Sequence, residues 1–492
     1  MIPARRDLLC LSLLGPATAH ATIPDLIGLG GRWSGAGGGG VAVIDDGNAA
    51  YLNPAGLSRV RRPTAALGYI AGWPRLDQPP PLWWDTNLDG VTDERDPPLQ
   101  LDTNPAPIGG FMVHAARNVG GKFGLGLTAY IPTDNLIRFS TFEPSLPIYI
   151  MWDNRPQRFV TAAALGGEIA PGLSLGIGAD LLAKARLTVA STLSARVGAP
   201  EQTGEPLEEV FTEAVVDVHE IDMAMVPALA PIVGLQLDVG RLVPALDGLV
   251  LGASYHGEVG LPLDVELFLQ TNVSLADLGD LDPYTTALVA RGQFALFDHF
   301  VPRRLQLGVA YRRADALTLY ADGRWTDWRS MVLNVAQVSE ASLVGPLIDL
   351  EGVITDGNAY SYSVRATWGL RMGADLQLPP IDVGGKLRYL RLSFRGGFGF
   401  DPTPLVEQGP ESALLDTDRS MYTLGMGMEH WDALDLIDGA VRWDLFVQWH
   451  TLHRTSLARN ATEPTPGYPV SSGLIPAGGS IPVFGGQWSF DY

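Results

Sequence analysis

Val441-Arg442-Trp443-Asp444-Leu445-Phe446-Val447-Gln448-Trp449-His450 alternates with a period of two. The odd positions, Val441, Trp443, Leu445, Val447 and Trp449, are all apolar, whereas the even ones are Arg442, Asp444, Phe446, Gln448 and His450. Successive side chains of a strand point to opposite faces, so this is a strand with one apolar face and one mainly polar face. Working outward, Leu317, Leu319, Ala321 and Trp325 oppose Thr318, Tyr320, Asp322 and Arg324, and Trp368 and Leu370 oppose Thr367 and Arg371. Leu125, Leu127 and Ala129 oppose Gly124, Gly126 and Thr128, while Leu175 and Ile177 oppose Ser174, Gly176 and Gly178. Glycine is thus a resident of the polar face.

Fourteen alternating segments are read near 64–73, 108–117, 122–132, 157–168, 173–189, 221–240, 249–266, 302–313, 316–332, 359–375, 386–400, 419–431, 440–453 and 478–492. Their connections sort by length. Short ones such as Asn118–Gly121 and Ala170–Gly172 alternate with long ones at about 74–107, 133–156, 190–220, 267–301, 333–358, 401–418 and 454–477. An even number of strands with short turns at one end and long loops at the other describes a fourteen-stranded antiparallel transmembrane β-barrel, all-β, with both termini in the periplasm. Phe484, Trp488, Phe490 and the final residue Tyr492 share one face, which fits a C-terminal strand handed to barrel-assembly machinery.

Composition agrees. Of 492 residues 46% are hydrophobic and only 18% charged, too apolar a balance for a disordered chain. One Cys excludes a disulfide scaffold. A formal charge of -20 argues against nucleic acid, which demands clustered Lys and Arg. Arg5 and Arg6, the apolar run Leu8–Leu14 and Ala19-His20-Ala21 read as a signal peptide over 1–21, cleaved after Ala21. No later run is long enough for a membrane helix, and the best one, Ala224–Leu235, is broken by Pro227 and Pro231.

Between the signal and the first strand lie Gly28-Leu29-Gly30-Gly31-Arg32-Trp33-Ser34-Gly35-Ala36 and Val41-Ala42-Val43-Ile44-Asp45-Asp46, ending in Asn53-Pro54-Ala55. This small-residue segment with an acidic pair and an Asn-Pro-Ala triplet resembles the hatch of the FadL family of outer-membrane long-chain fatty acid and hydrocarbon transporters. Pro302–Tyr311, Trp325–Trp328 and Phe398-Gly399-Phe400-Asp401-Pro402-Thr403-Pro404 extend the resemblance along the mature chain. It implies a hatch over 22–62 inside a barrel over 63–492, a monomer, and uptake of a hydrophobic compound with exit through a lateral gap as the plug shifts. Asp45, Asp46, Asn53, Pro54 and Ala55 are then the gating residues. The expected surroundings are outer-membrane lipid and lipopolysaccharide of a Gram-negative cell.

Candidate ligand contacts are Arg324, Arg365 and Arg391 at inward positions, with Phe139, Phe142 and Trp152 in the second long loop. An inward Arg either pairs with a ligand carboxylate or belongs to a structural ion network with acids such as Asp322, Asp444 and Glu429. Leu267, Phe268 and Leu269 open the fourth loop, and Asp282-Pro283 resembles a helix start. In the first long loop, Asp85, Asn87, Asp89, Val91, Asp93 and Asp96 fall at positions one, three, five, seven, nine and twelve, with Gly90 at six. That is calcium-loop spacing, although Asp replaces the usual Glu at twelve and no helical pattern flanks it. A bound structural Ca²⁺ and a solvated acidic turn are the two readings.

No cofactor is required and no enzyme is indicated. Gly172-Leu173-Ser174-Leu175-Gly176 matches a nucleophile elbow, but there a turn leads into a strand where the chemistry needs a strand, a turn and a helix. Two alternatives stand beside the transporter: a general porin, and a secreted calcium-binding β-rich structural or adhesion protein.

Overall fold

The computed structural model describes residues 23–82, 107–133, 146–152, 159–197, 211–275, 285–313, 316–331, 337–345, 348–350, 362–408, 412–432, 438–458 and 474–492. The signal reading over 1–21, the calcium-loop residues Asp85, Asn87, Asp89, Val91, Asp93 and Asp96, the loop aromatics Phe139 and Phe142, and Asp282-Pro283 lie outside them.

Fourteen strands form the wall: β1 Thr64–Gly72, β2 Ile108–Val119, β3 Phe123–Pro132, β4 Val160–Ala170, β5 Leu173–Val197, β6 Phe211–Asp238, β7 Leu249–His256, β8 Arg304–Arg313, β9 Leu317–Thr326, β10 Thr367–Gln377, β11 Arg388–Asp401, β12 Arg419–Trp431, β13 Ala440–Ala458 and β14 Leu474–Asp491. Each pairs antiparallel with its chain neighbour. The ring closes where Thr64–Gly72 of β1 meets Val483–Asp491 of β14. Closure removes the unpaired strand edges that hydrocarbon cannot solvate.

The alternation sets which side faces lipid. On β13, Trp443, Leu445, Val447 and Trp449 are exposed, while Asp444, Phe446, Gln448 and His450 are buried in the lumen. Trp443 stacks on Trp488, ring centroids 5.1 Å apart, and Trp488 meets Phe490, forming an aromatic cluster at the short-turn end. Such rings suit the membrane–water boundary.

Two expected connections are partly strand. β5 and β6 continue past the barrel through 190–197 and 211–220. The segment expected over 249–266 breaks at Gly257–Glu258, where the Gly257 amide donates to the Pro231 carbonyl. Its second half, Val259–Leu275, includes Leu267, Phe268 and Leu269 and pairs antiparallel with Thr285–Val301. It also pairs parallel with the upper part of β5. A period-two pattern reports a pleat and not the solvent around it, so a membrane strand and its extension outside the membrane read alike.

Residues 23–60 fill the lumen as short helical turns, Ile23–Ile27, Gly31–Gly35, Ala49–Leu52 and the 3₁₀ turn Pro54–Arg59, and almost all are buried. The inward glycines of the wall make room for them. A Cβ on Gly124 would lie 2.1 Å from the Leu57 carbonyl oxygen, one on Gly166 2.0 Å from that of Pro54, and one on Gly373 1.9 Å from that of Ala36. The glycine-rich polar face is therefore a steric mould for this segment.

Candidate functional site

Side-chain amides from three strands fasten the hatch to the wall. Gln448 Nε2 donates to the carbonyls of Ile27 (2.7 Å) and Ser34 (2.8 Å), Gln236 Nε2 to those of Val41 and Ile44, and Gln487 Oε1 accepts from the Gly31 amide at 2.9 Å. Asp322 accepts from the Gly40 and Val41 amides at 2.5 and 3.1 Å. Asn53 is fully buried at the centre of this set. Its Nδ2 donates to Val41 O (2.7 Å) within the hatch and to Leu235 O (3.1 Å) on β6. Its Oδ1 accepts from Ala55 N at 3.1 Å, capping the 3₁₀ turn that Pro54 begins.

The acidic pair divides its work. Asp46 accepts from Trp33 Nε1 (2.8 Å) and from Asn48 N (2.9 Å), both within the hatch. Asp45 pairs with Arg32 (2.8 Å) and, more loosely, with Arg312 of β8 (3.4 Å). Arg32 reaches on to Asp375, Asp375 to Arg395 (3.1 Å), and Arg395 to Asp444 (2.5 Å). This ion chain joins hatch and wall across the lumen, and a polar cavity of about 610 Å³ lies against it at the short-turn end.

On the opposite side of the hatch is a small pocket of about 60 Å³ lined by Leu26, Met151, Trp152, Trp328 and Leu452 together with Arg304, Arg324 and Arg419. Asp401 is its electrostatic hub, accepting from Arg324 (2.7 Å), Arg371 (2.7 Å) and Arg419. Arg324 also donates to the Asp25 carbonyl at 2.7 Å, so it bridges hatch and wall. Arg304 pairs with the Asp25 carboxylate and lies 3.0 Å from His256 Nδ1. Arg304 Nε and Thr417 Oγ1 are buried without a hydrogen-bond partner.

A lid covers this pocket. Ile148–Tyr149 pairs parallel with Leu414–Leu415. Gln408 grips Leu414 through both its amide and its carbonyl, and Thr403 Oγ1 donates to Asp416 at 2.6 Å. Burial pushes the Asp416 carboxyl up to about 6 against the opposing Thr403 hydrogen bond. Asp416 and Thr417 also line a larger outer cavity of about 670 Å³.

The sequence-derived candidates separate. Arg324 and Trp152 meet in the small pocket. Arg391 sits near the short-turn end of β11, 3.8 Å from Glu429, and belongs to an ion network there with Arg442. Arg365, expected inward, is exposed instead. Strand regularity lapses at Arg365–Ala366, and Tyr362–Val364 pairs with Leu405–Gln408 outside the barrel, so the alternation does not carry through. Sequence reasoning did not single out Asp401, Arg371, Arg419 or the three glutamines as a set, although all of them sit at inward positions of their strands, Asp401 as the last residue of β11 opposite Arg419.

A family model described as "Outer membrane protein transport protein (OMPP1/FadL/TodX)" matches residues 27–463. The chain belongs to this family. Its β-barrel is accordingly a Gram-negative outer-membrane transporter of hydrophobic compounds, and the family is one of transporters and not of enzymes. Among solved structures, the fold is similar to that of a Pseudomonas aeruginosa FadL homologue (TM-score 0.52, 16% identity, 97% of this chain and 100% of that one). It is similar also to the P. putida toluene transporter TodX (TM-score 0.48, 13% identity, 95% and 99%). No curated protein sequence matches it. Within the family frame the short-turn end faces the periplasm and the lid faces the cell exterior.

Proposed function

We propose that this transporter takes up amphipathic hydrophobic molecules, of which a long-chain fatty acid is the type, by holding them between the lid and the hatch before the hatch moves. The observation that carries this reading is the mixed lining of the small pocket. Trp152, Trp328, Met151 and Leu26 supply apolar surface, while Arg304 Nε and Thr417 Oγ1 are buried and unsatisfied. A buried donor without a partner costs about 1–3 kcal/mol, which an acceptor on the cargo would recover. A plain hydrocarbon offers none. In its present shape the pocket is small, so loading requires the lid or the hatch to shift.

Asn53 with Asp45 and Asp46 is the proposed gate, because these residues tie the hatch both to itself and to β6 and β8. Release sideways through the wall belongs to the same proposal. So does export as a monomer with 1–21 removed, for which amino-terminal sequencing of the outer-membrane protein should begin at Thr22. The main test is competitive binding to the purified barrel of a long-chain fatty acid against the alkane of equal length. The fatty acid should bind more tightly, and Arg324→Gln should narrow the gap; equal binding of both ligands to the parent protein would sink the reading. Planar-bilayer conductance should be nearly closed, whereas an open water-filled pore would favour a porin.

A further inference from the structure

The periplasmic hairpin between β10 and β11 carries apolar side chains further than the membrane belt needs them. On β10 the outward apolar positions are Trp368, Leu370, Met372 and Leu376, and Leu378 follows exposed just past its end. Eleven residues of tilted strand already cover the ~25 Å apolar band of such a barrel. Yet the hairpin continues. Ile381 pairs with Leu390 and Asp382 with Tyr389, putting Ile381 on the outward face that Leu376 and Phe394 share through their own pairing. Ile381 is 57% exposed, Val383 45% and Leu387 39%. Aliphatic groups so placed are costly in water and normally mark an interface.

The backbone at the tip points the same way. Gly384, Gly385 and Arg388 all have positive φ, 64°, 61° and 58°, and Arg388 is the only non-glycine with positive φ among the described residues. A glycine would suit that position better, so the side chain is retained against strain. The Arg388 guanidinium lies 4.2 Å from the Trp431 ring centroid, and among the described residues no carboxylate pairs with it. The other charged residues of the hairpin are Asp382, whose carboxylate accepts from the Gly384 amide at 3.0 Å, and Lys386. Across the ladder, Glu429 is taken up by Arg391 and Arg442. A cation on an interfacial Trp, flanked by exposed aliphatic groups continuous with the lipid-facing belt, matches an anionic phospholipid surface in both charge and polarity.

We propose that the Leu378–Leu390 hairpin lies on the periplasmic leaflet of the outer membrane, with Ile381, Val383 and Leu387 among the lipid chains and Arg388 bound to an anionic phospholipid headgroup. The proposal is independent of the cargo. The test uses the full chain with Cys10→Ser and a fluorophore at Ile381→Cys or Asp382→Cys, reconstituted in phosphatidylcholine vesicles with or without phosphatidylglycerol. Brominated lipid should quench the label at 381 and aqueous iodide the label at 382. Phosphatidylglycerol should strengthen lipid quenching at 381 by about fivefold in the bound-to-unbound ratio, the effect expected of one basic residue. That gain should vanish in Arg388→Gly, which suits the left-handed backbone and so preserves the fold, and in Arg388→Gln; heat-modifiable gel mobility verifies that both barrels are intact. Iodide quenching at 381 in both vesicle types would overturn the proposal and leave the face to a protein partner. Phosphatidylglycerol dependence that persists without Arg388, or none in the parent protein, would overturn it as well.

Discussion

The Oδ1 of Asn53 lies where a side chain at position 234 would begin: a Cβ on Gly234 would stand 1.9 Å from it. Gly234 is on β6, beside the Leu235 carbonyl that accepts from Asn53 Nδ2. Gly234→Ala should therefore push the Asn53 turn off the wall, and Asn53→Ala should remove three hydrogen bonds. We expect each to weaken hatch docking by about 1–3 kcal/mol, read as faster protease cleavage within 23–60 of a barrel that still migrates as folded. Unchanged cleavage in both variants would show that this contact does not hold the hatch.

Asp401 accepts from three guanidiniums and is the anion they share, so its loss should outweigh the loss of any one of them. Asp401→Asn leaves Arg324, Arg371 and Arg419 facing one another, and we expect destabilisation of about 3–5 kcal/mol, measured by denaturant unfolding in detergent. Arg324→Gln should cost less, since Arg371 and Arg419 still occupy the carboxylate. The reverse order would remove Asp401 from the centre of the network.

The lid should loosen as pH rises. The Asp416 carboxyl titrates in the folded chain at about 6, above its ordinary 3.8. A folded-state pKa raised above the unfolded one means that the fold holds its proton longer. The cost of ionising it is absent below 3.8, grows through the interval, and is complete above about 6. Amide exchange of Ala413–Leu415, corrected for its intrinsic pH dependence, should thus be more protected at pH 5 than at pH 7. Asp416→Asn should flatten that difference; a profile identical to the parent's would assign the titration elsewhere.

Calcium remains a proposal for the loop that begins at Asp85. If Asp85, Asn87, Asp89, Asp93 and Asp96 hold the ion with the Val91 carbonyl, calorimetric titration of the folded barrel should show one saturable site. Asp89→Asn with Asp93→Asn should abolish it. No calcium-dependent heat in the parent protein would leave a solvated acidic turn.

How far the sequence carried the reading depends on the physics behind each residue. The alternation at Val441–His450 assigned faces correctly because the pleat alone determines them. It failed at Arg365, where two irregular residues break the parity. It could place Arg324, Arg371 and Arg419 inward one by one, but not gather them at Asp401, because which inward residues meet depends on register between strands 18 to 77 residues apart. Asn53 was legible through the Asn-Pro-Ala triplet that carries the family resemblance, whereas its capping of the turn came from the structure, and Gln236, Gln448 and Gln487 carry no motif beyond their inward parity.

The wall gives up side chains where the hatch lies against it: Gly124, Gly166, Gly234 and Gly373 each yield their side-chain space to a named hatch atom. Plug and barrel are thus two halves of one casting. A hatch transplanted from a relative would meet ridges where its own wall had hollows, and the two parts should be inherited, and engineered, only as a pair.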